Sequence, residues 1–208
     1  MMKIESVASQ PDRAGRYKVC FEDGTAMRLY RQTVEDFGLY AGRELTDEEF
    51  GRLSEAAGQM SAKMRAVRII SASGVTKKEL EHRLIQKGED PVQAKEAVAW
   101  LSEMDLIDDE KTARQIVERC IAKGYGLARA KQALYEKRVP KHLWEDALAD
   151  YPDQEGHILS YLENHPEIRE DRKARDRAIN ALLRRGHSYS EIRRGMEALS
   201  LQTEEADG

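Results

Sequence analysis

The chain has 208 residues and a mass of 23.7 kDa, room for one or two domains with a sizeable core and too little for a large multidomain enzyme. Ala, Leu, Glu, Lys and Arg supply 100 of the 208 residues, with 35% charged and only 6% aromatic, the composition of a mostly helical protein. The 34 basic residues nearly cancel the 38 acidic ones, and the resulting charge of −4 singles out neither a nucleic-acid binder nor a membrane-surface protein.

The apolar run Ala97-Val98-Ala99-Trp100-Leu101 is far short of the roughly 20 residues of a bilayer span, and Met1-Met2-Lys3-Ile4-Glu5-Ser6 has no apolar signal core, so a cytoplasmic protein without membrane association is expected. Cys20 and Cys120 match no metal spacing and read as reduced thiols.

The first element is Lys3 to Val7, read as an edge strand. Tyr17, Val19 and Phe21 then alternate with Lys18 and Cys20, and Met27 and Leu29 with Arg28 and Tyr30, which predicts a hairpin. A two-residue turn would mix the faces. A three-residue loop, Glu22-Asp23-Gly24, pairs Val19 with Met27 and Tyr17 with Leu29 and places Gly24 at the left-handed position. Thr46-Asp47-Glu48-Glu49 has capping-box spacing, so a helix follows from Thr46. Residues 1–60 therefore form a small β plus helix segment.

From Lys63 onward apolar residues recur at three and four and loops are short, which predicts successive helices. One template repeats. Leu80, Leu84, Lys87, Gly88, Ala94, Val98 and Leu101 overlay Ala130, Leu134, Lys137, Arg138, Trp144, Leu148 and Tyr151. They overlay again Ala178, Leu182, Arg185, Gly186, Ile192, Met196 and Leu199, at spacings of 50 and 48 residues. Thr76 caps the middle helix of the first unit, Lys87-Gly88 stops it, and Pro91 opens the third helix. Three three-helix repeats are expected at 61–107, 108–152 and 153–201, stacked into an elongated solenoid-like body, with an acidic flexible tail at 202–208.

These residues resemble the RecX family of bacterial regulators of the RecA recombinase. The resemblance rests on Thr76-Lys77-Lys78-Glu79-Leu80 with Leu84 and Lys87-Gly88, on Leu106-Ile107-Asp108-Asp109 with Ala113, on Gly124 ahead of Leu134, and on Arg185 through Ile192. It covers about Lys63 to Leu199. Asp105 and Arg138 stand where the family pattern has glycine, and Thr112 where it has phenylalanine. The resemblance implies a non-enzymatic modulator of homologous recombination and DNA repair. Such a protein binds the RecA filament on single-stranded DNA, lies along its groove, and inhibits strand exchange and the coupled ATP hydrolysis. It further implies a monomer with no cofactor, with single- or double-stranded DNA as a second candidate partner.

Chemistry-bearing motifs are sparse. Asp108-Asp109-Glu110 is explained by helix capping, and His82, His142, His157, His165 and His187 form no metal-ligand pair. Gly124-Tyr125-Gly126 lacks the spacing of a phosphate loop, and no nucleophile–base set is readable. Trp100 and Trp144 read as core residues, Tyr125 and Tyr189 as turn residues open to contacts.

Charge placement says more. Residues 1–60 carry a net −3, whereas Ile168 to Arg194 carries +5. The candidate RecA- or DNA-contacting residues are Lys87, Lys123, Arg129, Lys137, Arg138, Arg172, Arg175, Arg184, Arg185, Arg193 and Arg194. Solvated helix faces with pairs such as Asp171 to Arg175 explain the same pattern, and that reading stays open. So do a direct DNA-binding module and a generic helical scaffold, although Val92–Leu101 and Lys141–Leu148 are poor in the Arg and Asn of a base-reading helix.

Overall fold

The computed structural model describes residues 1–206, with side chains through Leu199. The chain forms two compact units, Met1–Ile107 and Asp108–Gly208. It is mainly helical with a small N-terminal antiparallel sheet. Among the described residues no helix is long and apolar enough to cross a membrane.

In the first unit, strands β1 (Met2–Val7), β2 (Arg16–Phe21), β3 (Ala26–Tyr30) and β4 (Glu44–Leu45) pair in the order β3-β2-β1-β4. The hairpin register is the expected one, with Val19 opposite Met27 and Tyr17 opposite Leu29, and Gly24 sits at φ 86° in the loop. The Lys3 to Val7 strand differs from expectation: β1 is internal, because the short β4 pairs with Met2 and Lys3 and takes the edge. Two paired residues are too few to leave a period-2 signature, which is why β4 is invisible in the sequence. Helix α1 (Arg31–Asp36) follows β3 directly.

Helix α2 (Asp47–Ala72) opens with the complete Thr46/Glu49 capping box and runs unbroken through residue 60. Its N-terminal half contributes Leu53 to the sheet's core beside Phe21, Leu29 and Leu45. Its C-terminal half contributes Ala62 and Ala66 to a second core with Leu80, Leu84, Val98 and Leu101. The helix thus belongs both to the β segment and to the first three-helix repeat. Helices α3 (Lys77–Gln86) and α4 (Pro91–Glu103) complete that repeat, capped by Thr76 and Asp90, with Pro91 in the first turn of α4. The Gln93 side-chain amide of α4 lies over Gly58, 2.3 Å from where a Cβ would stand.

The second unit holds α5 (Asp109–Ala122), α6 (Leu127–Glu136), a 3₁₀ turn at Lys141–Leu143 and the short α7 (Trp144–Leu148). After these come α8 (Glu155–Glu163), a 3₁₀ turn at Pro166–Arg169, α9 (Arg172–Arg184) and α10 (Tyr189–Ala206). Two cores fill it, one around Ala113, Val117, Leu134 and Val139 and one around Ile158, Leu162, Ala178, Leu182 and Ile192. Trp144 packs on the first of these and donates its indole N–H to the Val139 carbonyl at 3.0 Å. The acidic tail expected from Gln202 falls on residues whose side chains lie outside the described set, while the backbone of α10 is helical to Ala206.

One closure recurs at the equivalent positions of all three repeats. After α3, Gly88 N–H donates to Ile85 C=O at 2.9 Å and Glu89 N–H to Leu84 C=O at 3.1 Å. After α6 the same pair of bonds links Arg138 to Tyr135 at 2.9 Å and Val139 to Leu134 at 3.0 Å. After α9 it links Gly186 to Leu183 at 2.9 Å and His187 to Leu182 at 3.2 Å. These are Schellman motifs, whose central residue must take a left-handed conformation. Gly88 and Gly186 do so at φ 88°, and Arg138 does so at 54° despite its side chain. Asp105, at φ 54°, ends α4 in the same way, with bonds to Ser102 and from Leu106 to Leu101.

Candidate functional site

The turns after α5 and α9 meet inside the second unit. Gly126 N–H donates to Arg185 C=O at 2.9 Å and Ala128 N–H to Gly186 C=O at 3.3 Å, so two helix ends are joined backbone to backbone. Glycine is required on both sides: a Cβ on Gly126 would lie 2.1 Å from the Gly186 carbonyl oxygen, and one on Gly186 2.3 Å from the Arg129 nitrogen. The imidazole of His187 is buried in the seam with its Nε2 3.1 Å from the Gly124 carbonyl, which makes Nε2–H the donor. Its Nδ1 has no hydrogen-bond partner among the described residues. Burial lowers the pKa of this imidazole from 6.5, outweighing the bond to Gly124. Tyr151 donates its hydroxyl to the Tyr125 carbonyl at 2.6 Å, and burial pushes that phenol up to about 12. Burial likewise raises the pKa of the Cys120 thiol, against the opposing pull of Arg129 and Lys123.

This seam gathers three of the basic candidates. Lys123 caps α5 and lies 6.0 Å from the Tyr125 ring centre, Arg185 caps α9 and stacks 4.9 Å from that of Tyr161, and Arg129 pairs with Glu136 at 3.0 Å. Other candidates are engaged elsewhere. Arg193 pairs with Glu197 at 2.9 Å, Arg194 with Asp153 at 3.5 Å, and Arg175 donates to the Ile168 and Arg169 carbonyls. Lys137 and Arg138 are exposed at the end of α6. Arg172 and Arg184 are exposed at opposite ends of α9 and make no ion pair among the described residues. Tyr189 is exposed and Tyr125 half-buried. Lys87 belongs to the other unit, where it caps α3. Among the described residues no group of three or more His, Cys, Asp or Glu side chains is placed to hold a metal ion.

The family model for the second three-helix domain of RecX matches residues 108–148. A regulatory protein RecX of Clostridioides difficile is 25% identical over 203 residues, spanning 95% of this chain and 94% of that one. The chain belongs to the RecX family. A RecX of Lactobacillus delbrueckii subsp. bulgaricus is 30% identical over 155 residues, 74% of this chain, although the match spans only 57% of that longer relative. A solved structure of regulatory protein RecX has the same fold, with a TM-score of 0.64 and 21% identity, over 95% of this chain and all of that one. These RecX relatives are named regulatory proteins.

Against the RecX pattern, the departures at Asp105 and Arg138 fall on the two non-glycine residues with positive φ among the described residues. The substitutions leave the helix ends in place and change only the side chain that occupies them. Sequence reasoning passed over Arg16, Arg65, Arg68 and Arg83, which line one cleft of the first unit together with Lys87. They are scattered over nearly seventy positions, two of them outside any basic run, and the only local hint is the i, i+3 spacing of Arg65 and Arg68 on one face of α2.

Proposed function

We propose that this chain is a non-enzymatic modulator of the RecA recombinase that binds the RecA filament on single-stranded DNA and restrains strand exchange and the coupled ATP hydrolysis. The similarity to a named RecX regulatory protein along nearly the whole of both chains supports this reading. Repetition adds a physical reason: repeated units present related surfaces to a polymer of repeated subunits, and weak contacts made in tandem multiply into useful avidity. The contact surface we assign is the basic ground around the α5/α9 seam, with Lys123, Arg129, Arg184 and Arg185 at its centre and Lys137, Arg138, Arg172, Arg175, Arg193 and Arg194 around it. Arg184 and Arg185 are the strongest of these, because both are exposed and neither is spent on a carboxylate among the described residues.

The test adds the purified protein to RecA on single-stranded DNA and follows ATP turnover and filament length. Slower turnover and shorter filaments are expected, and the double variant Arg184→Glu, Arg185→Glu should lose at least tenfold in apparent affinity. No change in turnover or filament length with the unmodified protein refutes the functional reading; an unimpaired double variant refutes the surface.

A further inference from the structure

Between the sheet and the first repeat, the first unit encloses a cleft of about 460 Å³. Arg16 and Tyr30, partners across β2 and β3, form one wall. Arg65 and Arg68 of α2 and Arg83 and Lys87 of α3 form the others. Among the described residues, five cations line this cavity and no carboxylate does.

Three of those charges are answered from behind. Arg16 makes a forked pair with Asp12 at 2.8 and 3.1 Å, Arg65 meets the buried Glu89 at 2.5 Å, and Arg83 meets Glu79 at 2.7 Å. The carboxylates fix these guanidiniums in place without entering the cavity. Arg68 donates to the Tyr30 hydroxyl, a neutral acceptor, and Lys87 makes no ion pair among the described residues. Two positive charges therefore remain uncompensated at one cavity, framed by three more whose spare N–H donors are held by their partners.

We propose that this cleft binds a small phosphomonoester. A phosphate monoester carries about 1.5 to 2 negative charges at neutral pH and presents three acceptor oxygens. That charge matches Arg68 plus Lys87, and planar guanidiniums suit its tetrahedral oxygens in paired contacts. The volume lies within the roughly 300–1,000 Å³ of small-molecule sites. Ile69 and Ala72 supply an apolar strip beside the charges for the organic part, and the Ser61 hydroxyl a further polar group. A phosphodiester strand fits less well, since it brings one charge per nucleotide and needs a continuing groove instead of one concave pocket. The inference rests on the first unit alone and is independent of any action on RecA.

Adenosine 5′-monophosphate titrated calorimetrically into the full chain at low salt provides the test, with adenosine, inorganic phosphate and a thymidine oligomer lacking terminal phosphates as companions. Saturable one-to-one binding of the monophosphate is expected, with competition by inorganic phosphate and no binding of adenosine. Arg68→Gln and Lys87→Met should each weaken it at least tenfold, while Lys111→Gln, in the other unit, leaves it unchanged. Both cleft residues are exposed, and circular dichroism checks that the variants fold; either variant alone suffices. The proposal is overturned by absence of saturable binding, by equal binding in the folded cleft variants, or by oligomer binding that falls with these variants as the monophosphate's does.

Discussion

Gly88 and Gly186 share the same φ of 88° and the same place in their repeats, yet they differ in surroundings. A Cβ on Gly88 meets nothing within 4 Å, whereas one on Gly186 lies 2.3 Å from the nitrogen, 2.5 Å from the Cβ and 2.9 Å from the Cα of Arg129. Replacing each by alanine therefore separates backbone strain from steric exclusion. The strain of about 1–2 kcal/mol is common to both and is partly offset by about 0.4–1 kcal/mol from the stiffer unfolded chain, leaving about 1 kcal/mol for Gly88→Ala. Gly186→Ala adds overpacking of about 1–3 kcal/mol against backbone that cannot swing aside. The forced separation also weakens Gly126 to Arg185 and His187 to Gly124, at about 1 kcal/mol each, for a total of about 4–6 kcal/mol. Urea unfolding measures both. Trp100 reports the first unit and Trp144 the second, so each variant is read in a background where the other tryptophan is phenylalanine. Losses equal within about 1 kcal/mol would mean that the seam yields to a methyl group, and the argument for obligatory contact between the turns fails.

Two further outcomes follow from the same geometry. Arg138→Gly relieves left-handed strain and should stabilise the second unit by about 0.5–1 kcal/mol in thermal unfolding, whereas Asp105→Gly should gain less because aspartate tolerates this conformation; destabilisation by Arg138→Gly refutes the strain. His187 gives the second unit a pH dependence. Its folded pKa lies below 6.5, so the unfolded chain binds the proton more readily, and the stability it contributes is complete above 6.5 and lost as pH falls through the folded value. Glu191 opposes this shift and Arg185 and His157 reinforce it, but desolvation leads. Unfolding of Trp144 in urea from pH 7.5 downward should show the decline, flattened in His187→Gln, and an unchanged slope in that variant assigns the effect elsewhere.

Much of the architecture is legible in the sequence because local chemistry and tertiary packing agree. Thr46, Thr76 and Asp108 are readable as caps, and each accepts a backbone N–H from the first turn of its helix. The hairpin register follows from Val19, Met27 and the placement of Gly24 alone. Where the sequence is silent, the determining contact is distant. The continuous α2 hides its double role because its two cores use different faces: Leu53 and Ala62 point roughly 180° apart at the α-helical period, so no single apolar stripe runs its length. Gly126 looks like an ordinary loop glycine until Gly186, sixty positions away, is brought against it. Arg16, Arg65, Arg68 and Arg83 escape notice as partners of Lys87 because they come from a strand and two helices, and no periodicity links them.

The recurring basic residues at hairpin ends acquire a physical cause that the sequence alone does not separate from binding. Lys87, Lys123, Lys137 and Arg185 are the C-cap residues of α3, α5, α6 and α9, where the carbonyl-rich end of the helix dipole favours a cation by about 0.3–1 kcal/mol. A lysine or arginine at each such position is therefore expected of any repeat with these helix ends, whatever it binds. What distinguishes a binding cation is how little of its charge the fold already uses. By that measure Arg193 and Arg194, held by Glu197 and Asp153, weigh less than Arg172 and Arg184, and Arg83, held by Glu79, weighs less than Arg68. The net +5 of residues 168–194 overstates the charge available to a partner, and the net −3 of the first sixty residues gives no sign that Arg16 faces four further cations, Arg65, Arg68, Arg83 and Lys87, across one cleft. Partner contacts should accordingly track uncompensated cations rather than basic residues as such, which is why charge reversal at Arg184 and Arg185 discriminates better than at Arg193 and Arg194.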